Sequence, residues 1–277
     1  MDNITIVFCE GQHDIAFLSK ILYVHGYKEY KKKLKVFEEP FGEQYLSILR
    51  EEKNISDKKL GFNPIYKVPS VALYKNESLV LFHNMEGDDR ETERTELLKM
   101  YQNLQGDDDF SSFNFSYKFL YFFDADEKTI NDRVDELNNE LNLDNYLYHN
   151  KIISTNSYQW GCYIFTAFNN QSGYLEDILL DLMMPNNIEI FQNSREFITS
   201  NCFTTVDRQC EYKPFEDNYK NRSKFKNKKS IISVAGQLQF SGMTNAVIIG
   251  KSDFIKKDDI LNSEVCNNIM KMFEFNS

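Results

Sequence analysis

The sequence feature that most constrains the fold is residues 4–22, where a short apolar run leads directly into a helical pattern. Residues 4–9 carry no charge, which is typical of a strand buried on both faces of a sheet. Glu10 and Gly11 end this run, and from Asp14 onward the apolar residues recur at helical spacing. The segment therefore predicts a buried strand, a tight turn and an amphipathic helix, with the Glu10 carboxylate held at the strand end.

A second apolar run, residues 117–123, also ends in acidic residues, Asp124, Asp126 and Glu127. If both runs are strands of one sheet, we expect Glu10 to lie close to Asp124 and Asp126. A pair of like charges about 4 Å apart costs roughly 4 kcal/mol at an effective dielectric constant near 20. Proton uptake or a hard divalent cation relieves such a cluster. The alternative interpretation of Asp126 is a helix N-cap, because a helical pattern follows it.

Strand and helix patterns alternate along the rest of the chain. Further strands are predicted at residues 34–37, 160–165 and 246–249, and a β-hairpin at 68–82. Helices are predicted at 44–52, 129–141, 173–183, 187–200, 230–240 and 258–273, and one more that Asp88 or Asp89 caps and that runs to about Leu104. Residues 207–229 show no regular pattern. The alternation predicts an α/β fold with a mostly parallel sheet flanked by helices.

The 277 residues contain no internal repeat and no linker-like segment, so a single domain over residues 1–277 is predicted. Within it we expect a helical, basic extension at about residues 185–277. No stretch reaches the roughly 18 apolar residues of a membrane span, and the first residues do not form a signal-peptide pattern. A cytoplasmic protein without membrane contact is therefore expected.

The net charge of −10 constrains the functions that the chain can serve. A protein that simply coats nucleic acid would be basic, so an acidic enzyme acting on nucleic acid needs a metal site and a local basic strip. The basic residues between 220 and 229 either bind phosphate or form a solvated loop. They are Lys220, Arg222, Lys224, Lys226, Lys228 and Lys229. The five cysteines contain no C-x-x-C pair, which argues against a zinc site.

The two acidic strand ends resemble the Toprim domain. The matching pattern is strand–Glu-Gly-x-x-Asp–helix at residues 10–14, followed by a strand that ends in Asp124-x-Asp126. Type IA and type II topoisomerases, bacterial primases, a ribosomal-RNA maturase and the overcoming-lysogenization-defect (OLD) nucleases share that domain. The resemblance implies a Toprim-like, Rossmann-like fold. It also implies an insertion at about residues 38–110, for which the hairpin is a candidate, because Glu10 and Asp124 are further apart in sequence than in compact Toprim domains. It also implies that Glu10 is a general acid or base and that Asp124 and Asp126 bind magnesium or manganese.

A second stretch, residues 160–177, is similar to a small prokaryotic branch of stand-alone Toprim-like proteins. In that branch a tryptophan-bearing strand precedes a loop and a Gly-x-Leu-Glu helix start, which Gly173 to Glu176 match. OLD-type nucleases use extra acids for a second metal, so Glu176 is a candidate ligand, although acids in a first turn also stabilise the helix dipole. Asp14 is a candidate metal ligand that also has the position of a helix cap. Lys128 stands where many family members carry a third acid.

These resemblances imply a nuclease that hydrolyses phosphodiester bonds in DNA or RNA with magnesium or manganese. Stand-alone Toprim proteins resemble effectors of defence against phage that work beside a separately encoded ABC-type ATPase. The ATPase would be a partner, because Asn245 stands where a Walker loop needs its first glycine. The alternative is a catalytically weak module that binds nucleic acid or a partner. A topoisomerase or a primase is disfavoured, because the chain leaves no room for a strand gate or for helicase-docking domains.

Overall fold

The computed structural model describes residues 2–52, 66–87, 89–106, 115–155, 157–201, 209–213, 218–221 and 227–275. Its strands are β1 (Asn3–Cys9), β2 (Lys28–Glu29), β3 (Val71–Lys75), β4 (Ser78–Asn84), β5 (Ser116–Asp124), β6 (Lys151–Thr155), β7 (Tyr158–Phe165), β8 (Gln209–Lys213) and β9 (Asn218–Asn221). Its helices are α1 (Gln12–Val24), α2 (Phe41–Glu52), α3 (Glu91–Gly106), α4 (Ile130–Leu141), α5 (Leu175–Met183), α6 (Ile188–Asn201), α7 (Asn227–Gln239), α8 (Asn245–Lys251), α9 (Lys257–Asn262) and α10 (Glu264–Phe273). In these ranges no helix is long and apolar enough to cross a membrane.

A mixed sheet forms the centre of the molecule, and in the described residues its strand order is β2-β3-β4-β1-β5-β7-β6. The four inner strands, β4, β1, β5 and β7, run parallel to one another, and the outer strands pair antiparallel. Val7 of β1 pairs with Phe82 of β4 on one side and with Leu120 of β5 on the other. The predicted α/β class with a helix-flanked sheet is confirmed. Since β1 is central, both of its faces are covered, which explains its unbroken apolar sequence.

Alternate residues of each strand enter two separate apolar cores, one on each face of the sheet. Ile6 and Phe8 point into a core built with α2, α3 and α4. Val7 and Cys9 point into the opposite core, which contains α1 and the described helices from α5 to α10. The C-terminal helices that were predicted as an extension therefore form one of the two layers that cover the sheet.

The direction of the connections reverses between β1 and β5. The chain leaves β1 through α1, on one face, and returns through the hairpin to β4. It leaves β5 through α4, on the other face, and continues to β7. Open α/β sheets bind their ligands outside the carboxyl ends of the strands at such a switch point. The fold therefore predicts a ligand site among the residues that follow Cys9 and Phe123.

Two predicted strands are wrong. Residues 34–37 form a 3₁₀ turn, Leu34–Val36, because β2 already occupies the sheet edge beside β3. Residues 246–249 belong to helix α8, whose first turn is capped by the Thr244 hydroxyl, which accepts from the Val247 backbone N–H at 3.4 Å. A short apolar run of β-branched residues fits a strand and a buried helix equally well. In this case Ile248 and Ile249 are buried in the core that contains α1.

Other boundaries also differ from the prediction. The helix predicted at 258–273 is two helices, α9 and α10, because the Ser263 hydroxyl between them accepts from the Cys266 backbone N–H and starts a new helix. Strand β6 was missed, and residues 207–229 include the β8–β9 hairpin and the start of α7. The hairpin predicted at 68–82 is present as β3 and β4, both strands of the main sheet. Asp88 lies outside the described residues, and α3 begins at Glu91.

A buried ion pair joins α3 to α4. The Arg94 guanidinium donates two hydrogen bonds to the Glu140 carboxylate, at 2.9 and 2.6 Å, and the two side chains are 6% and 8% exposed. Arg94→Met leaves a buried carboxylate without its guanidinium partner, so we expect the free energy of unfolding to fall by about 3 kcal/mol. Chemical denaturation of the single variants and of the double variant Arg94→Met, Glu140→Leu measures this. The double variant should regain most of the loss, and a double variant as unstable as Arg94→Met would contradict this assignment.

Candidate functional site

Three predicted acidic residues meet where β1 and β5 end side by side. Glu10 follows the last residue of β1, and Asp124 is the last residue of β5. The backbone N–H of Asp124 donates to Glu10 Oε1 at 3.0 Å, which ties the two strand ends together. Asp126 is two residues further and has a positive φ of 56°. The predicted proximity of these acids is therefore present, and it follows from the pairing of adjacent parallel strands.

Asp14 and Glu176 bring two more carboxylates to the same place. Asp14 lies in the first turn of α1, where its Oδ2 accepts from the Gly11 backbone N–H at 2.8 Å, so it caps its own helix. Glu176 lies in the first turn of α5 and is buried. Both helices begin at the carboxyl edge of the sheet, and their N-terminal dipoles favour negative charge there. A cleft of about 420 Å³ is lined by Glu10, Asp14, Asp124, Asp126, Glu176, His13, Lys229 and neighbouring residues.

The carboxylates in this cleft repel one another. Burial is the main reason why the pKa of Asp124 lies well above its usual range, and the charges of Asp14 and Glu10 raise it further. Burial also raises the pKa of Asp14 to about 6, and the charge of Glu176 adds to this rise. The hydrogen bond from the Gly11 N–H lowers the pKa of Asp14 but does not outweigh burial. Asp124 Oδ1 accepts from the Leu175 backbone N–H at 2.6 Å, which lowers the cost of its charge without removing it. The site therefore favours the uptake of positive charge.

Lys229 supplies part of that positive charge, and His13 forms a hydrogen bond with the same carboxylate. Lys229 Nζ lies 3.4 Å and His13 Nδ1 lies 3.2 Å from Glu176 Oε1. Burial raises the pKa of Glu176, but the hydrogen bond from His13 and the charge of Lys229 outweigh burial, so the pKa is lowered. Burial likewise lowers the pKa of Lys229, while Glu176 and Asp124 raise it more. Both groups therefore stay ionised near neutral pH.

The predicted basic strip is only partly accounted for by the described residues. Lys228 and Lys229 open helix α7, and Lys228 forms an ion pair with Asp177 beside the cleft. The backbone of Lys220 belongs to β9, in a hairpin apart from the main sheet. Arg222, Lys224 and Lys226 lie outside the described residues. Two residues of the predicted strip are therefore placed at the site: Lys229 lines the acidic cleft, and Lys228 lies at its rim.

The sequence interpretation missed Arg133, which lies in the second turn of α4. Its guanidinium donates to the Asp124 carbonyl and to Asp126 Oδ2, each at 2.9 Å, and lies 3.7 Å from Glu10 Oε1. It also donates to Glu136 Oε2 at 3.2 Å. The sequence does contain a signal for this contact: a basic residue stands one turn into the helix that follows the Asp-x-Asp strand end. The signal is weak, because it depends on the angle at which α4 leaves the sheet.

The donor chemistry of the cleft fits magnesium or manganese, since both prefer carboxylate oxygens and retain several water molecules. The carboxylate pair Glu10 and Asp124, with Asp14 and Glu176 nearby, offers such oxygens. The Asp126 carboxylate is instead occupied by the Arg133 ion pair. Within the part of the chain that the structure describes, no three His, Cys, Asp or Glu side chains are grouped as a metal ion requires. The metal-binding roles predicted for Glu10, Asp14, Asp124, Asp126 and Glu176 therefore stay predictions.

The fold and the cleft define a class of α/β protein with an acidic cleft at the switch point of its sheet. A family model described as "Protein of unknown function (DUF3226)" matches residues 4–274, so the chain belongs to that family. No functionally curated protein matches the chain. The chain is similar to the crystal structure of a hypothetical protein from Pyrococcus horikoshii OT3, with 14% identity and a TM-score of 0.57 over 99% of this chain and 100% of that one. At this identity the likeness shows the fold alone, and the Toprim resemblance stays a prediction.

Gly173 ends the loop that pairs with Asp126, and its backbone conformation requires glycine. Its φ is +138°, and a Cβ placed there would lie 2.4 Å from the Ala167 backbone nitrogen. We expect Gly173→Ala to lower the free energy of unfolding by about 2 kcal/mol, because the loop and its pairing with Asp126 must shift. Gly11→Ala is the control, since Gly11 has an extended backbone and open space around it. Thermal unfolding compares the two variants, and equal midpoints would contradict the prediction.

The repulsion among the carboxylates predicts opposite effects for two neutralising substitutions. A carboxyl group whose pKa rises on folding holds its proton more tightly in the folded state, so folding stability falls as pH rises through the folded pKa. In EDTA at pH 7.5 we therefore expect Asp124→Asn to raise the thermal midpoint by about 2 °C or more, and this gain should vanish near pH 4.

Asp126→Asn is the matched variant, and it should lower the midpoint because it removes the carboxylate bound by the buried Arg133 guanidinium. We expect a loss of only about 1 kcal/mol, since Asp126 is partly exposed. Calorimetric unfolding over pH 4–8 tests both signs. A destabilising Asp124→Asn would show that repulsion does not dominate at Asp124. A stabilising Asp126→Asn would show that the Arg133 ion pair does not outweigh the repulsion at Asp126.

Proposed function

We propose that the chain is a metal-dependent nuclease that hydrolyses phosphodiester bonds in DNA or RNA. The observation that supports this proposal is the cluster of mutually repelling carboxylates at the adjacent ends of β1 and β5. The folded protein holds these carboxylates together although their repulsion lowers its stability. Such a cost is common at sites that attract a cation. The cleft opens at the switch point of the sheet, where open α/β proteins bind their substrates.

In this proposal Glu10 moves the proton of the reaction. Its Oε1 is fixed by the Asp124 backbone N–H, so the carboxylate is oriented before substrate enters. Asp124, Asp126, Asp14 and Glu176 are the residues that would hold magnesium or manganese. When bound, the ion polarises the phosphate and lowers the pKa of a bound water. Lys229 adds a fixed positive charge beside Glu176, where a phosphate oxygen would otherwise meet carboxylates.

The wider setting follows from the Toprim resemblance. Stand-alone proteins of that kind resemble effectors of defence against phage, so nucleic acid and a separately encoded ABC-type ATPase are the proposed partners, with the cytoplasm as the place of action. This setting rests on analogy between folds and not on a residue of the cleft. It is therefore tested separately, by co-purification with proteins encoded beside the chain.

A second candidate function is a binding module with little hydrolytic activity. The specific observation in its favour is the ion pair between Arg133 and Asp126, because a guanidinium already neutralises one of the proposed ligands. In such a module the cleft recognises a phosphate through Lys229, Arg133 and the helix N-termini, or a basic partner group through its carboxylates. Calorimetric titration separates the two functions, since the nuclease must bind a divalent ion near neutral pH and the module need not.

The deciding experiment is a cleavage assay with labelled single-stranded DNA, duplex DNA and total RNA, in magnesium, manganese or EDTA. We expect cleavage with a divalent ion and none in EDTA. Glu10→Gln should lower the rate by about 100-fold or more, the usual size of a lost general acid or base. Glu77→Gln is the matched control, because Glu77 is exposed and lies at the opposite, amino end of the parallel strands.

Two results would count against the proposal. If Asp124→Ala with Asp126→Ala leaves metal-dependent cleavage intact, the activity belongs to another site or to a contaminant. If the wild-type protein cleaves no substrate and binds no divalent ion by calorimetry, the binding module becomes the better description. Neither Glu10→Gln nor Glu77→Gln should unfold more than about 2 °C below the wild type, so that a change in rate is not a loss of folded protein.

A further inference from the structure

The loop from Thr166 to Gly173, between β7 and α5, presents an exposed aromatic ring beside the acidic cleft. Phe168 is 74% exposed, and the next three residues, Asn169, Asn170 and Gln171, are exposed amides. The loop contains no charged residue. Its chemistry is thus an apolar ring together with hydrogen-bonding amides, and not the cationic chemistry that binds phosphate groups.

The loop is fixed to the cleft by its own backbone. Gly173 and Asp126 exchange two backbone hydrogen bonds, of 2.9 and 3.0 Å, and the Ile130 N–H donates to the Gln171 carbonyl at 3.0 Å. Across the loop, the Ala167 N–H donates to the Ser172 carbonyl at 3.1 Å. The same Asp126 whose carboxylate meets Arg133 therefore anchors the loop that carries Phe168.

The distance from Phe168 to the cleft can be bounded from the pairing of its loop with Asp126. Ala167 contacts Gly173, which pairs with Asp126, and Phe168 follows Ala167 directly. These steps place the Cα of Phe168 within roughly 15 Å of that of Asp126. Single exposed apolar residues are ordinary on protein surfaces, and Phe197 on α6 is one, with 59% exposure. What distinguishes Phe168 is its position on a loop that is hydrogen-bonded to the cleft residue Asp126, and its amide neighbours.

We propose that Phe168 stacks on an unpaired base of a single-stranded nucleic acid whose backbone lies in the acidic cleft, with Asn169 and Gln171 offering amide groups to base edges. This inference rests on the proposed function, since it assumes that nucleic acid is the ligand. Aromatic side chains bind single strands by stacking, and amides read the edges of unstacked bases. A base inside a duplex is not available to such a ring. The inference therefore narrows the substrate to single strands or single-stranded segments.

The test compares Phe168→Ala with Phe197→Ala in binding to fluorescent single-stranded oligonucleotides, with DNA and RNA of one sequence in parallel. Binding is measured with calcium and with EDTA, so that no hydrolysis is needed. We expect Phe168→Ala to weaken binding about tenfold, as expected for the loss of one base stack. Phe197→Ala should bind like the wild type. Both rings are exposed, so neither variant should change the unfolding temperature.

Two further measurements identify stacking as the cause. The slope of log affinity against log salt should be the same for Phe168→Ala and the wild type, because no phosphate contact is removed. Oligonucleotides with abasic positions scanned along the strand should contain one position that weakens the wild type and leaves Phe168→Ala unchanged. Phe168→Trp should restore binding of the intact strand, since tryptophan offers a larger stacking face.

The outcomes separate this inference from the proposed nuclease. If Phe168→Ala weakens single-strand binding while the wild type cleaves nothing, the stacking inference is supported and the nuclease proposal is contradicted. If Glu10→Gln abolishes cleavage while Phe168→Ala binds and cleaves like the wild type, the nuclease proposal is supported and the stacking inference is contradicted. Wild-type protein that binds neither DNA nor RNA single strands, or an equal loss of duplex binding in Phe168→Ala, would overturn the stacking inference.

Discussion

The parallel pairing of β1 with β5 is the constraint on which the rest of the structure depends. Their register sets Cys9 opposite Phe122, so Glu10 and Asp124 emerge at the same edge of the sheet. The hydrogen bond from the Asp124 backbone to Glu10 then closes that edge. Because β1 also pairs with β4, a shift of its register would disturb both neighbours and expose residues that are now fully buried. The carboxylates are therefore held by the most strongly determined part of the fold.

This rigidity explains how the acids remain together despite their repulsion. Helix N-termini, the Arg133 guanidinium and Lys229 each offset part of the negative charge. This compensation differs from one carboxylate to the next. Asp126 has a guanidinium partner, and Glu176 has a lysine and a histidine beside it. Asp124 accepts a backbone N–H but faces the charges of Glu10 and Asp14. The excess negative charge is thus concentrated at the ends of the two central strands.

Much of this arrangement was predictable, for identifiable physical reasons. Buried parallel strands have apolar sequences, and the polar residue that ends such a run must lie at a sheet edge, so Glu10 and Asp124 could be placed together. Arg133 could not be predicted, because its contact with Asp126 depends on how α4 crosses the sheet. Ile248 and Ile249 were misassigned to a strand, since four apolar residues carry no period that distinguishes the two structures. Asp14 was expected either to bind the metal or to cap its own helix; the cap is present, and the metal-binding role stays a prediction.

The separate cores on the two faces of the sheet have a consequence for how the protein can change over evolutionary time. The helix that carries Asp14 packs into one core, and the helix that carries Arg133 packs into the other. Substitutions that repack one layer therefore move one wall of the cleft and leave the opposite wall in place. Relatives with this architecture can diversify what they recognise on one side while the acids at the strand ends stay fixed. The family can thus share a scaffold and an acidic edge without sharing a ligand.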